Sequence, residues 1–178
     1  MYPTAYIQYL VHFHGDRDYF ECHEILEEYW KELEVKDKQS IWVGFILLAV
    51  SNYHFRRQNK NGAVRTLAKA LTIFRAGETS QHQLGIDMAK LLLLLEQRLI
   101  DIQNDIPYKS FNLPIIDKSL LKLCLDATQA SGFIWGQDSN LNQVDLIDRH
   151  KLRDRSDVNR ERQLAIAKRK QKEDRDAD

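Results

Sequence analysis

The chain has little of what interrupts a helix. Among 178 residues there are seven glycines and three prolines. An all-β or Rossmann-like chain of this length needs more turn-forming residues. It also has no surplus of either charge: 26 basic and 26 acidic side chains give a formal net charge of zero. That balance removes any general case for nucleic-acid binding. The apolar runs at 41–50 and 91–95 are both too short to span a bilayer. No basic segment followed by an apolar core opens the chain, so secretion is not expected. Two cysteines, Cys22 and Cys124, sit in helix-like apolar patterns, and the expectation is buried, reduced thiols. Together these absences predict an all-α protein of the cytoplasm, one domain with an appendage.

What is present is helical periodicity. Pro3 suits a first helical turn, and Tyr6, Leu10 and Phe13 recur at helical spacing until Gly15 and Asp16. A second helix is predicted over 18–34, with Tyr19, Cys22, Leu26, Trp30 and Leu33 on one arc and Glu21, Glu28 and Glu32 opposite. A third spans 37–58, and its stretch at 41–50 is apolar all round, as in a helix enclosed by its neighbours. Gly44 would let another helix approach closely. A joint at 59–62 leads to a fourth helix over 63–75, closed by Gly77 as a left-handed cap. Ser80 is placed to cap a fifth, carrying Leu84, Met88, Leu91, Leu95, Leu99 and Ile102.

Pro107 and Pro114 mark a linker, followed by a short helix at 117–130. Gly132 and Gly136 flank Phe133, Ile134 and Trp135, read as an extended aromatic segment docking on the bundle. From Asp148 the chain is dense in both charges. Ser156 is a candidate cap for a solvated helix there, ahead of a disordered end. The predicted architecture is thus a compact bundle of about five helices over 1–106, a linker with a short helix and aromatic segment over 107–147, and a charged, partly disordered helical extension over 148–178.

The stretch YFECHEILEEYW, residues 19–30, concentrates polar chemistry. His23 and Glu27 are four apart and share a helix face, with Glu24 beside them. An imidazole one turn from a carboxylate suits a divalent metal, a general base, or a hydrogen-bonded tie between helices. The pattern falls short of the zincin pair of histidines and of two Glu-x-x-His pairs. Antiparallel packing of the first three helices would bring His12, His14 and His54 to the same rim.

The segments FHGDRDYFECHEILEEYW and GFILLAVSNYHFRRQNKNGAVRTLAKAL resemble domain of unknown function family 309. The positions carrying the resemblance are Tyr19 or Phe20, His23, Glu24, Leu26, Glu27, Trp30, Gly44, His54, Arg57, Asn59, Gly62 and Ala63, within about residues 6–76. The resemblance implies a small all-α bundle and supplies no reaction. Leu47 stands where the family often has Gln, and Gln58 where it often has Gly. The candidate pocket on these grounds is His23, Glu24, Glu27, Trp30, His54, Arg57 and Asn59. The metal candidates are His23, Glu27 and His54, and no cofactor is predicted.

Three functional classes follow. The favoured one is a non-catalytic module that binds a protein partner or itself. The alternative is a small metal-assisted or acid/base enzyme built on His23, Glu24 and Glu27, against which stands the absence of a nucleophile motif or phosphate loop. The weakest is nucleic-acid binding through Arg149, Lys151, Arg153, Arg155, Arg160 and Arg162, opposed by the interleaved Asp148, Asp154, Asp157 and Glu161.

Overall fold

A computed structural model of the chain describes residues 1–76 and 84–149. Residues 1–147 form one compact unit and 148–178 a second, of which only Asp148 and Arg149 are described. The caps expected at Gly77, Ser80 and Ser156, and nearly all of the charged extension, lie outside the described residues.

The described fold is all-α. Seven helices follow in order: α1 (Thr4–His14), α2 (Tyr19–Glu32), α3 (Ile41–Arg56), α4 (Lys60–Ala76), α5 (Met88–Gln103), α6 (Lys118–Ala130) and α7 (Val144–Ile147). None of them is long and apolar enough to cross a membrane. Short polar side chains start most of them by accepting backbone N–H groups that the first turn leaves unpaired. Asp18 accepts from Glu21 N at 3.0 Å, Asp87 from Lys90 N at 2.9 Å, and Asp117 from Ser119 N at 2.6 Å and Leu120 N at 3.1 Å.

These caps move the boundaries expected from periodicity. Ser40, whose hydroxyl accepts from Trp42 N, starts α3 several residues later than 37, and the preceding residues make a turn closed by Ser40 N to Asp37 O. Asn59 Oδ1 accepts from Gly62 N at 3.0 Å, so α4 begins at Lys60 and the joint shrinks to Arg57–Asn59. Leu84 and Ile86 are buried but lie outside α5, contrary to the expected early start of the fifth helix. Gly85 between them adopts φ +68°, and Ile86 makes an isolated antiparallel bridge to Ile115. The segment at 133–135 is not extended either; it is a turn region whose Trp135 stacks on His14 with ring centroids 4.2 Å apart.

α3 is the central element, packed against both α2 and α4. α1 lies on α2 and α6, and α5 on α4. Phe45 is the meeting point. Its ring contacts those of Tyr6, Tyr9 and Phe74 at centroid distances of 5.7, 5.6 and 5.1 Å, and its carbonyl accepts from the Tyr9 hydroxyl. The edge-to-face arrangements add to the area these rings bury. Gly44 allows the close approach of α4: a Cβ there would stand 2.7 Å from the Phe74 ring. The helix is not enclosed all round, however. Phe45, Leu48 and Ala49 are buried, whereas Ile41, Trp42, Val43, Leu47 and Val50 are only half-buried. Both cysteines are buried and free.

This packing separates two neighbouring leucines. Leu48→Asp places a charge with no partner in the core and is expected to abolish cooperative unfolding. Leu47→Asp, at the half-buried edge, is expected to leave a folded, less stable chain. Urea titration followed by circular dichroism measures both; a Leu48→Asp chain as stable as wild type contradicts the central position of α3.

Candidate functional site

The seven residues singled out from the sequence fall into three groups. His23, Glu24 and Glu27 come together: Nδ1 of His23 lies 3.0 Å from Glu24 Oε1, and Nε2 lies 3.4 Å from Glu27 Oε2. One ligand atom from each can be chosen so that all lie within 4.8 Å of one another. All three residues are half-buried. Glu27 Oε1 also meets Lys31 Nζ at 3.1 Å. The described partners of His23 and Glu27 thus all sit on α2, and the expected tie from these residues to another helix is not made. The i, i+4 geometry is satisfied within one helix.

Trp30 stands apart from that cluster. Its indole N–H donates to Asp37 O at 3.0 Å and holds the loop that follows α2.

His54 and Asn59 belong to the α3–α4 joint. Asn59 Oδ1 is committed to Gly62 N, so its amide nitrogen faces His54 Nδ1, 3.1 Å away. That ring nitrogen therefore accepts, and the proton of the neutral ring sits on Nε2. Burial, with the charges of Arg57 and Arg65, holds the His54 pKa below the usual histidine range. Gly62 leaves room for the ring, since a Cβ there would come within 2.9 Å of it. Arg57 lies over the Tyr53 ring at 5.2 Å. His54 does not join the His23, Glu24, Glu27 cluster. An aromatic link joins the groups: Phe20 contacts the rings of His23 and Tyr53, each at 6.2 Å.

His12 and His14 do not converge on that rim. His12 Nδ1 faces Asp16 at 3.1 Å. His14 is fully buried. Its Nε2 accepts from Leu113 N at 2.9 Å, so Nδ1 carries the proton and donates to Leu10 O at 2.7 Å. Cys22 is buried too, with Sγ toward Tyr9 O at 3.5 Å, and burial pushes its thiol well above the ordinary range. A thiol kept protonated is a poor nucleophile.

A cluster that periodicity did not reveal is built from arginine. Arg17, Arg56 and Arg98 are buried, 1%, 5% and 9% exposed. Arg17 adopts φ +60° in the α1–α2 connection. It donates to the carbonyls of Gln137 (2.6 Å), Phe13 (2.7 Å) and Phe111 (2.8 Å), and to Asn112 Oδ1 (2.7 Å). Arg56 donates to Arg17 O (2.7 Å), Ser139 Oγ (3.0 Å) and Leu146 O (3.1 Å), with its guanidinium 5.0 Å from the Tyr19 ring centre. Arg98 donates to Lys109 O and lies over Phe55, Tyr108 and Phe111 at 5.0, 5.3 and 4.7 Å. Every one of these acceptors is neutral. Arg56 Nε, and Nε and Nη2 of Arg98, have no hydrogen-bond partner. Burial lowers the pKa of both groups from the usual arginine value, and arginine still remains charged.

Beside this cluster lies a cleft of about 470 Å³. Phe55, Arg56, Gln58 and Lys60 line it from the α3–α4 turn, Ile102, Asp105, Ile106, Pro107 and Tyr108 from the end of α5 and beyond, and Leu141 closes it. Two of its residues, Gln58 (φ +59°) and Asp105 (φ +57°), hold left-handed backbone without being glycine. None of the seven sequence-derived candidates lines it. One signal was legible: Arg98 occupies a place in the buried stripe Leu91, Leu95, Arg98, Ile102 of α5. An arginine on an apolar stripe is worth pursuing because burying it requires partners.

The buried His14 makes stability depend on pH. Burial, helped by the charge of Arg17, pulls its pKa down from 6.5 to about 4. The unfolded chain therefore takes up the proton first. Its contribution is present in full above pH 6.5 and is lost as pH falls toward about 4. The loss amounts to about 3 kcal/mol at most. Denaturant titrations between pH 7 and pH 4.5 should show this slope in wild type and its removal in His14→Gln; equal slopes would contradict the assignment.

Comparison with known proteins identifies the family. The family described as "Domain of unknown function (DUF309)" matches residues 6–66. The chain is 49% identical over 174 residues, 98% of its own length and 100% of the relative's, to "Uncharacterized protein YpuF" of Bacillus subtilis (strain 168). No solved structure matches it. The span of that relative, together with the match over α1 to α4, shows that the chain belongs to the DUF309 family.

Proposed function

We propose that this protein is a non-catalytic binding module whose ligand enters the cleft between the α3–α4 turn and the chain following α5. The observation that carries this reading is Arg56: a side chain 5% exposed, lining the cleft, with its Nε unpartnered. Leaving a buried donor unsatisfied costs about 1–3 kcal/mol, more when it is charged. Residues kept in disfavoured backbone conformations gather at ligand sites, and Gln58 and Asp105 do so here. The volume lies in the range of small-molecule sites, about 300–1,000 Å³. The broader expectation of an interaction module thus narrows to a small-ligand cleft. Methyl and amide NMR with a fragment library is the test. Hits should perturb Ile102, Tyr108 and Leu141, and Leu141→Trp, at an exposed position, should suppress them. An unchanged hit profile in that variant would contradict the site.

A second reading keeps the α2 cluster as a divalent-metal site, favoured by the closeness of its three ligand atoms. Under the first reading the cluster is a helix-surface network. Dialysed protein should then hold no stoichiometric zinc or manganese, a chelator should leave Tm unchanged, and His23→Gln should lower stability by less than about 1 kcal/mol. One bound ion per chain, lost in Glu27→Gln, would establish the metal site instead.

A further inference from the structure

We infer that the cleft takes an anion: a carboxylate or phosphate group carried on an apolar or aromatic body. This rests on the cleft being the binding site. The lining holds two cations, Arg56 and Lys60, against one carboxylate, Asp105, an excess of one positive charge. Behind the Phe55 and Tyr108 walls stands the guanidinium of Arg98, with Nε and Nη2 unpartnered. The hydrogen bonds of Arg56 and Arg98 go to carbonyls and a hydroxyl, which do not neutralise their charge, and Asp101 is the carboxylate whose charge acts on Arg98. A positive field held in a poorly solvated wall attracts an anion more strongly than the same charges in water.

The direct contacts come from the rim. Lys60 Nζ lies at the mouth, bonded to Asp105 Oδ1 at 2.7 Å and to Gln103 O at 2.9 Å. The Asp105 side chain is 78% exposed, so an entering anion can take its place on Lys60 while Asp105 turns into water. The Tyr108 hydroxyl, 2.6 Å from that of Tyr19 and 3.3 Å from Ser110 Oγ, offers a second polar group. Apart from Gln58, the rest of the lining, Phe55, Ile102, Ile106, Pro107 and Leu141, is apolar and suits the body of such a ligand.

The probes are benzoate, phenyl phosphate, benzamide, benzylamine and inorganic phosphate, titrated into the full chain at low salt and followed by NMR and melting temperature. Benzoate and phenyl phosphate should bind about tenfold or more tightly than benzamide, as expected for one charge-assisted contact, and benzylamine should not bind. Inorganic phosphate should bind more weakly than phenyl phosphate. Lys60→Gln, at the half-buried mouth of the cleft, should weaken the two aromatic anions severalfold and leave benzamide unchanged. Added salt should weaken them likewise. Leu141→Trp should remove binding of every aromatic probe. Benzamide binding as tightly as benzoate, both lost in Leu141→Trp, would overturn anion recognition and leave the cleft standing as a binding site. Inorganic phosphate binding as tightly as phenyl phosphate would overturn the apolar body. Anion binding that survives Leu141→Trp, or no probe bound at all, would overturn the cleft itself.

Discussion

Three guanidinium groups inside a small helical bundle set the conditions for the rest of this structure. A buried charge is tolerated only when other groups replace its water. Arg17, Arg56 and Arg98 draw that replacement from carbonyl dipoles and ring faces. Helical backbone supplies few spare carbonyls, because most are used within the helix. The acceptors instead come from helix ends and irregular chain: Phe13 and Arg17 around the α1–α2 connection, Lys109 and Phe111 after α5, Gln137 and Ser139 after α6, and Leu146 in α7. The arginines therefore fix where the non-helical segments lie against α1–α5. His14 does the same work as a neutral group, held between Leu10 O and Leu113 N with Trp135 stacked on its face.

The candidate cleft is a consequence of that arrangement. It opens where the segment after α5 is drawn across the α3–α4 turn, so its walls combine bundle residues with linker residues. Arg56 belongs to both roles. Two of its nitrogens hold Arg17, Ser139 and Leu146 in place, while the third is left for the cleft's own field. On the proposed reading, structure and binding are coupled: an occupant that engages this charge also steadies the segments the arginine holds.

Much of the fold was readable before any coordinates because helix periodicity is a local property. The all-α class, the central third helix, the close approach at Gly44 and the two buried thiols all follow from spacing and residue type. Failures arose where tertiary partners decide. Leu84 fits a helical stripe, yet Gly85 and the bridge from Ile86 to Ile115 keep it outside α5. On α5, the buried position is Arg98 and its neighbour Leu99 is half-buried, the reverse of what hydrophobicity alone suggests. At the α3–α4 turn, the basic, Asn-containing sequence drew attention to His54, Arg57 and Asn59, which build the joint. The cleft is lined by Arg56, Gln58 and Lys60 from the same turn. A step of one residue rotates a helical side chain by about 100°, enough to move it from one face to another. No spacing rule brings Tyr108 or Leu141 to that turn, because the linker's path depends on carbonyl acceptors distant in sequence.

The central claim is that these guanidinium groups are buried, charged and held by neutral groups. Nitrogen-detected NMR of the arginine side chains, assigned with single arginine-to-lysine variants of the full chain at neutral pH, tests it most directly. Nε–H signals of Arg17, Arg56 and Arg98 that are protected from solvent exchange and retain the chemical shifts of a charged guanidinium are the result this account predicts. Exchange as fast as that of solvated arginine at these three positions would contradict it.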